Sequence, residues 1–199
     1  MNDTMRTVHI IDDDAAVRDS LRLLLDLHGY APATYASAED FLAVVSPDTT
    51  GCVLADMRMP GMSGLELQTA LQSRQIGLPV VVITAHGDVA AARTSFKNGA
   101  LDFLEKPVDT QQLLAAVNAA LDRDVQRRAE SDVTLQKEAL MRRLTERERE
   151  VLSHVLAGRQ NREIGQVLGI SARTAEAHKA RLMAKLNVPN LPELVRLMQ

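Results

Sequence analysis

Polar and charged residues end four of the apolar segments in the first half of the chain. Asp12 and Asp13 follow the first of these segments, Asp56 the second, Thr84 the third and Lys106 the last. Short apolar runs of this kind are typical of buried strands. Because the carboxyl ends of parallel strands meet at one edge of a sheet, we expect these side chains to lie close together and to form a reactive site.

The carboxylates of Asp12, Asp13 and Asp56 favour a metal site. Carboxylates that are forced together repel one another unless a cation joins them. An oxygen-only site open to water suits Mg²⁺ or Mn²⁺, held by a few carboxylates, a backbone carbonyl and waters. We expect Asp13 and Asp56 to be direct ligands and Asp12 to act through water, whereas Asp14 is expected to cap the following helix.

The same edge offers a nucleophile and two groups that could stabilise a phosphoryl group. Asp56 precedes the sharp turn at Pro60-Gly61, and a carboxylate in such a place can form an aspartyl-phosphate. Catalysis of that transfer consists mostly of positioning and charge neutralisation, for which Thr84 would supply a hydroxyl and Lys106 an ammonium. Taken singly, Asp56 could merely cap a turn and Lys106 could be a solvated loop residue. All four strand ends together favour the phosphoryl site.

The first part of the chain has the pattern of a doubly wound α/β domain. Five apolar segments lie at 7–12, 31–35, 52–56, 79–84 and 100–105, and each is followed by a helical pattern. The pattern after the fourth segment predicts a helix at about 88–98. Such strand–helix repeats imply a parallel sheet covered by helices on both faces. In the flavodoxin-like order 2-1-3-4-5, the switch point falls between strands 1 and 3, where Asp12, Asp13 and Asp56 converge.

The composition is that of an ordinary globular protein, with 46% hydrophobic and 25% charged residues. No apolar run approaches the length of a membrane span, and no signal peptide is visible. The single cysteine, Cys52, excludes an internal disulfide framework and reads as a small core residue. We therefore expect a reducing, cytoplasmic location without membrane attachment.

The net charge of −3 conceals an asymmetry between the two halves. Residues 1–124 carry 9 Lys and Arg against 17 Asp and Glu, a net −8, whereas residues 125–199 carry 14 against 9, a net +5. The basic second part indicates a module that binds nucleic acid.

We divide the chain into a domain at 1–124, a linker at 125–143 and a domain at 144–199. The linker lacks Gly and Pro and is read as helical, although a flexible connection or weak pairing in a dimer stays open.

The segment 144–199 predicts a small all-α domain of the helix-turn-helix kind. Thr145 and Glu148 form a capping box that begins its first helix, and the second helix is expected to bury Ile164 and Val167. A short turn containing Gly separates the second helix from the third. An ordinary helical bundle is the alternative from pattern alone. The helices are predicted at about 145–158, 161–168, 172–186 and 191–198.

The motifs of the first domain resemble the receiver domain of two-component response regulators, a CheY-like fold. Asp12-Asp13, Asp56 within DMRMPGMSG, VVITAHGD around Thr84 and DFLEKP around Lys106 match that family in order and spacing. The resemblance implies that a sensor histidine kinase donates its phosphoryl group to Asp56 with Mg²⁺ required, and that the Arg58 carbonyl is a further metal ligand.

The family also implies a switch and an output surface. Thr84 and Phe103 would change position on phosphorylation, and the face at 88–103 would dimerise. Arg58 and His86 lie where the family tunes its own dephosphorylation.

The second domain resembles the LuxR-type helix-turn-helix of the FixJ/NarL class of regulators. The resemblance implies that the third helix enters the major groove and that the last helix dimerises the DNA-bound domains. Position by position, it gives base contacts to Glu176, Ala177 and Ala180. Phosphate or backbone contacts are expected from Thr174, Lys179, Lys185, Arg159, Asn161 and Arg162.

The sequence therefore predicts a phosphorylation-activated transcription regulator rather than a conventional enzyme, although the receiver would catalyse phosphorylation of Asp56 and its slow hydrolysis. Its partners would be a sensor histidine kinase, a second copy of the chain and double-stranded DNA with a two-fold symmetric operator, and contact with RNA polymerase is left open. Two alternatives remain. A phosphatase with an Asp nucleophile would need a second carboxylate where Arg58 stands, and an interaction protein independent of phosphorylation would not need all four strand ends.

Overall fold

The computed structural model describes residues 6–84 and 102–198. The chain divides into two compact units, one ending at Arg128 and the other beginning at Ala129. His86, the predicted helix at 88–98 and the first two residues of the predicted fifth strand lie outside the described residues. Within 6–84 and 102–198, no helix combines the length and apolarity needed to cross a membrane.

The strands of the first unit form one parallel sheet with the order β2-β1-β3-β4-β5. This order confirms the predicted doubly wound, flavodoxin-like fold. The central strands β3 and β4 are buried along almost their whole length because helices cover both faces of the sheet. The strands are β1 (Thr7–Ile11), β2 (Ala31–Tyr35), β3 (Cys52–Asp56), β4 (Val80–Thr84) and β5 (Asp102–Glu105).

Side chains of the central strands pack alternately into two separate apolar clusters. Leu54 and Ile83 pack with residues of α1 (Ala15–Leu27) and α4 (Thr110–Arg142). Their neighbours in sequence, including Val53 and Val82, pack with α2 (Ala38–Val44) and α3 (Gly64–Ser73). Because side chains alternate along a strand, one apolar strand contributes to both cores. Cys52 is buried, and burial raises the pKa of its thiol to about 12.

The second unit contains the end of α4 and four further helices, with a core that includes Val151, Leu152, Ile164 and Leu182. The predicted capping box is confirmed, since the Thr145 side chain and the Glu148 side chain each bond the other's backbone N–H. The helices are α5 (Glu146–Leu156), α6 (Asn161–Leu168), α7 (Ala172–Leu186) and α8 (Leu191–Met198).

One prediction about this core was wrong. Val167 was expected inside, but 58% of its surface is exposed. The inward side of α6 carries Ile164 and Gly165, and a residue two positions beyond Gly165 lies on the far side of a helix. A Cβ on Gly165 would come within 2.6 Å of the Ile170 carbonyl oxygen, so this glycine lets the following turn pack closely.

A buried carboxylate fastens α4 to the amino-terminal end of the sheet. Asp124 is 1% exposed, and its Oδ2 accepts a hydrogen bond from Gly51 N at 3.0 Å, just before β3. Its oxygens also pair with Arg127 Nη2 at 2.6 Å and Arg128 Nε at 3.0 Å. The polar sequence around Asp124 gave no sign of this burial, because its principal partner lies more than 70 residues earlier.

Asp124→Ala is expected to lower the free energy of unfolding by about 2–4 kcal/mol, because it leaves the buried Gly51 N–H without its acceptor and two arginines without their counter-charge. Urea denaturation of the full chain measures the change. The exposed Asp122→Ala is the matched control and should change stability by less than about 0.5 kcal/mol. Equal effects of the two substitutions would contradict the assigned role of Asp124.

Candidate functional site

The candidate site is centred on the ammonium group of Lys106, which lies between two carboxylates. Lys106 Nζ donates to Asp56 Oδ2 at 2.8 Å and to Asp12 Oδ2 at 3.0 Å. The three residues follow or end β5, β3 and β1, so the parallel sheet brings together side chains that are 50 and 94 residues apart. The predicted convergence of these strand ends is present in the structure.

The charge of Lys106 is maintained by its partners. Burial by itself lowers the pKa of Lys106, but the hydrogen bonds and charges of Asp56 and Asp12 outweigh burial and hold that pKa above its ordinary value. The ammonium therefore stays protonated at neutral pH. A fixed positive charge beside Asp56 is what a transferred phosphoryl group requires.

Asp12 is almost completely buried and is held from three sides. Besides Lys106, its Oδ1 accepts from Asp14 N at 2.9 Å. Arg18, one turn into α1, donates from Nη1 to the Asp12 backbone oxygen at 2.6 Å. Asp14 caps α1 as predicted, accepting from Ala16 N at 2.8 Å. Arg18 was not among the predicted site residues, although its place one turn after the acidic run was the available signal.

The donor set at this edge suits a hard divalent cation. Asp12, Asp13 and Asp56 each offer a carboxylate oxygen, and these oxygens lie within 4.8 Å of one another. Asp12 is buried, Asp13 is exposed and Asp56 is intermediate, so the set opens to water on one side. Oxygen ligands with room for waters are what Mg²⁺ prefers. The residues present therefore fit the predicted Mg²⁺ or Mn²⁺.

The backbone after β3 fixes the Asp56 carboxylate. Arg58 N donates to Asp56 Oδ1 at 3.3 Å, and Gly64 N donates to the Met57 carbonyl at 3.1 Å. A Cβ on Gly64 would lie only 2.5 Å from the Asp56 carbonyl oxygen. Gly64 thus allows the start of α3 to approach the strand end, a role that its position at a helix start did not reveal. The Arg58 carbonyl as a metal ligand stays a prediction.

The two predicted switch residues lie close to this edge. Thr84 ends β4 and is 1% exposed, and its Oγ1 donates to Met57 Sδ at 3.5 Å. Lys106 N donates to the Thr84 carbonyl at 2.7 Å, which joins the ends of β4 and β5. Phe103 is half-buried and packs against the cluster formed with α2 and α3.

In the second unit, α7 presents one face to the core and another to solvent. Ala175, Leu182 and Leu186 are buried, whereas Glu176 and Ala180 are exposed and Ala177 is intermediate. Small exposed residues on a helix that follows a tight turn permit close approach to a groove of DNA. Arg173 and Arg181 are exposed on the same helix and add charge that the predicted contacts did not include.

Several of the predicted phosphate contacts already have protein partners. Thr174 Oγ1 lies 2.7 Å from Ser171 Oγ, and Arg159 Nη1 lies 3.1 Å from His154 Nδ1. Lys179 and Asn161 are half-buried, and Arg162 is exposed.

The sixth predicted contact, Lys185, forms an ion pair inside the second unit. Its Nζ donates to Glu148 Oε2 at 2.6 Å, and Glu148 is 3% exposed. The hydrogen bond from Lys185, followed by that from Thr145 N, lowers the pKa of Glu148 to about 2. The pair joins the first turn of α5 to the last turn of α7.

Comparison with known proteins assigns both units. A family described as "Response regulator receiver domain" matches residues 8–118, and one described as "Bacterial regulatory proteins, luxR family" matches residues 142–198. The chain belongs to the LuxR-type response regulators. These are two-component transcription regulators with a DNA-binding domain, and the family is not one of conventional enzymes.

Individual relatives cover nearly the whole chain. The transcriptional regulatory protein FixJ of Rhizobium meliloti is 44% identical over 96% of this chain and 94% of its own length. The tetrathionate response regulatory protein TtrR of Salmonella typhimurium is 41% identical over 96% and 91%. Among solved structures, the response regulator StyR is 42% identical, covers 96% of this chain and 97% of its own, and has a TM-score of 0.84. Full-length FixJ from B. japonicum has a TM-score of 0.61 at 38% identity, over 98% and 96%.

The Glu148–Lys185 pair gives a prediction about acid stability. Because the pKa of Glu148 is about 2 against an ordinary 4.5, the pair stabilises the fold above about pH 4.5, and this contribution is lost as the pH falls towards about 2. Glu148→Gln should lower the free energy of unfolding by about 1–3 kcal/mol at neutral pH and reduce its fall over that window. Denaturant titrations of the full chain measure both effects.

Glu150→Gln is the matched control for this substitution, since its carboxylate pairs with Arg147 near the surface. It should cost less than about 1 kcal/mol. A Glu148→Gln chain that is as stable as wild type and keeps the same acid slope would refute the assignment.

Proposed function

We propose that this protein is a transcription regulator activated by phosphorylation of Asp56, with a sensor histidine kinase as donor. The observation that carries the proposal is the Lys106 ammonium held between Asp56 and Asp12 at 2.8 and 3.0 Å. That arrangement supplies positive charge beside a partly exposed carboxylate, where a phosphoryl group would add negative charge. The family assignment of the first unit supports the same conclusion.

The chain's own residues have separate tasks in this transfer. An Asp56 oxygen bonds to phosphorus while the bond from phosphorus to the donor's imidazole nitrogen breaks, and that nitrogen keeps the electron pair. Arg58 N and Lys106 Nζ orient the carboxylate before the attack. Lys106 then balances the charge of the phosphoryl oxygens, and Thr84 donates its hydroxyl to one of them.

A divalent cation completes the proposed site. Asp12, Asp13 and Asp56 would hold Mg²⁺, with the Arg58 carbonyl as a further ligand. When bound, the cation neutralises charge on the carboxylates and on the transferred group.

The proposed output is binding of DNA by paired second domains. Phosphorylation would favour a receiver conformation that forms a homodimer, and pairing of two helix-turn-helix units would select an operator with two-fold symmetry. Half-sites about one helical turn apart, roughly 10 bp, are expected. In this arrangement α7 enters the major groove, with base contacts from Glu176, Ala177 and Ala180. The exposed Arg162 and the half-buried Lys179 would contact phosphates.

Asp56→Asn is expected to abolish the dimerisation that acetyl phosphate and Mg²⁺ induce, because the amide cannot accept the phosphoryl group. Sedimentation velocity with and without acetyl phosphate measures the dimer fraction. The exposed Asp48→Asn is the control and should dimerise as wild type does. An Asp56→Asn chain that still dimerises would exclude Asp56 as the switch. A wild-type chain that takes up phosphate and stays monomeric would exclude dimerisation as the output.

Lys179→Ala should weaken binding to all DNA sequences by a similar factor and reduce the salt slope of the affinity by about one, because a phosphate contact carries no sequence information. Titrations of specific and unrelated duplexes at several salt concentrations measure both quantities. Lys137→Ala removes the same charge from α4 instead of α7 and should leave the slope unchanged. A change of preference at one base pair would show that Lys179 reads bases instead.

A further inference from the structure

Met57 directly follows Asp56, and its sulfur accepts a hydrogen bond from Thr84. Thr84 Oγ1 donates to Met57 Sδ at 3.5 Å, and both residues are buried. The contact follows from the strand register, because Asp56 pairs with Ile83 and Met57 N donates to the Ile83 carbonyl at 2.7 Å. Met57 and Thr84 are therefore neighbours where β3 and β4 end.

We propose that Met57 is a positioning residue that holds the Thr84 hydroxyl in the resting state. The inference rests on the proposed phosphorylation of Asp56. A hydroxyl has a single hydrogen to donate. Thr84 Oγ1 therefore cannot donate to the Met57 sulfur and to a phosphoryl oxygen on Asp56 at the same time. The two arrangements compete for one donor, and the relative strength of the two acceptors sets the balance.

A thioether has the properties that this competition needs. It is a weak acceptor on a flexible side chain, so it defines a resting position that is easily left. A phosphoryl oxygen is charged and accepts a stronger, shorter hydrogen bond. Met57 therefore contacts the Thr84 hydroxyl, which the phosphoryl group would attract, and belongs to the same apolar cluster against which Phe103 packs.

The consequence is a shift in the affinity for a phosphoryl mimic. Met57→Leu keeps an apolar side chain of similar volume and removes the acceptor. It destabilises only the resting arrangement, so beryllofluoride with Mg²⁺ should bind at Asp56 about threefold to tenfold more tightly than in wild type. Met57→Gln offers a stronger acceptor, the amide oxygen, and should weaken binding severalfold. Fluorine NMR of the full chain follows bound beryllofluoride directly.

Two further variants separate positioning from packing. Met59→Leu makes the same substitution at a buried methionine of the same cluster and should leave the affinity unchanged. In a Thr84→Val background there is no hydroxyl to compete for, so Met57→Leu should have no further effect on affinity. Thermal melts by circular dichroism verify that each variant is folded, and Met57→Gln carries the test if Met57→Leu is not.

The outcomes distinguish the inference from the proposed function. If wild type does not bind beryllofluoride, or if Asp56→Asn binds it equally well, the proposed function fails and the role of Met57 fails with it. If wild type binds at Asp56 but the Met57 variants bind with the same affinity, only the role of Met57 is overturned. A shift that persists in the Thr84→Val background would also overturn it, because the shift would then come from packing.

Discussion

The ion pairs of Lys106 organise the first unit. Its ammonium joins the carboxylates at the ends of β1 and β3, although Lys106 itself follows β5 at the sheet edge. Because β4 lies between β3 and β5, the lysine stem must reach across the end of β4, where Thr84 lies. The positive charge is therefore in place before any phosphoryl group arrives. Preorganised charge of this kind costs no rearrangement at the moment of reaction.

At the opposite end of the sheet the charges are exchanged: a buried carboxylate lies between cations. At the carboxyl end a cation lies between carboxylates, whereas at the amino end the buried Asp124 accepts hydrogen bonds from Gly51 N and Arg127 and forms an ion pair with Arg128. One stretch of chain supplies both, since α4 begins four residues after Lys106 and carries Asp124. The segment that leaves the candidate site is thus tied to the far end of the same sheet. A buried carboxylate is tolerated there because every partner is charged or a backbone donor.

Lys185 of the second unit has an observed structural role in addition to its predicted one. Lys185 stabilises the packing of α7 against α5 through Glu148, and it is also a predicted phosphate contact. An ammonium can donate three hydrogen bonds, so the pair with Glu148 leaves donors for a phosphate.

Val167, by contrast, shows the limit of periodicity in short helices. The inward face of α6 is centred between Ile164 and Gly165, so Val167 lies outside that face although it follows Ile164 by three residues.

The sequence by itself determined the alternation of strands and helices, the helix caps at Asp14 and Thr145, and the meeting of acidic strand ends, because local periodicity and the geometry of parallel sheets govern these features. Only the tertiary structure decided that Lys106 bonds Asp12 as well as Asp56, that Gly51 and Asp124 meet, that Glu148 holds Lys185, and that Gly64 lies against the Asp56 carbonyl. The partners in the three hydrogen-bonded contacts are at least 37 residues apart in the sequence. Like the approach of Gly64 to Asp56, each contact depends on how the elements pack at the scale of ångströms. Local periodicity carries no information about which distant atom will lie within hydrogen-bonding distance.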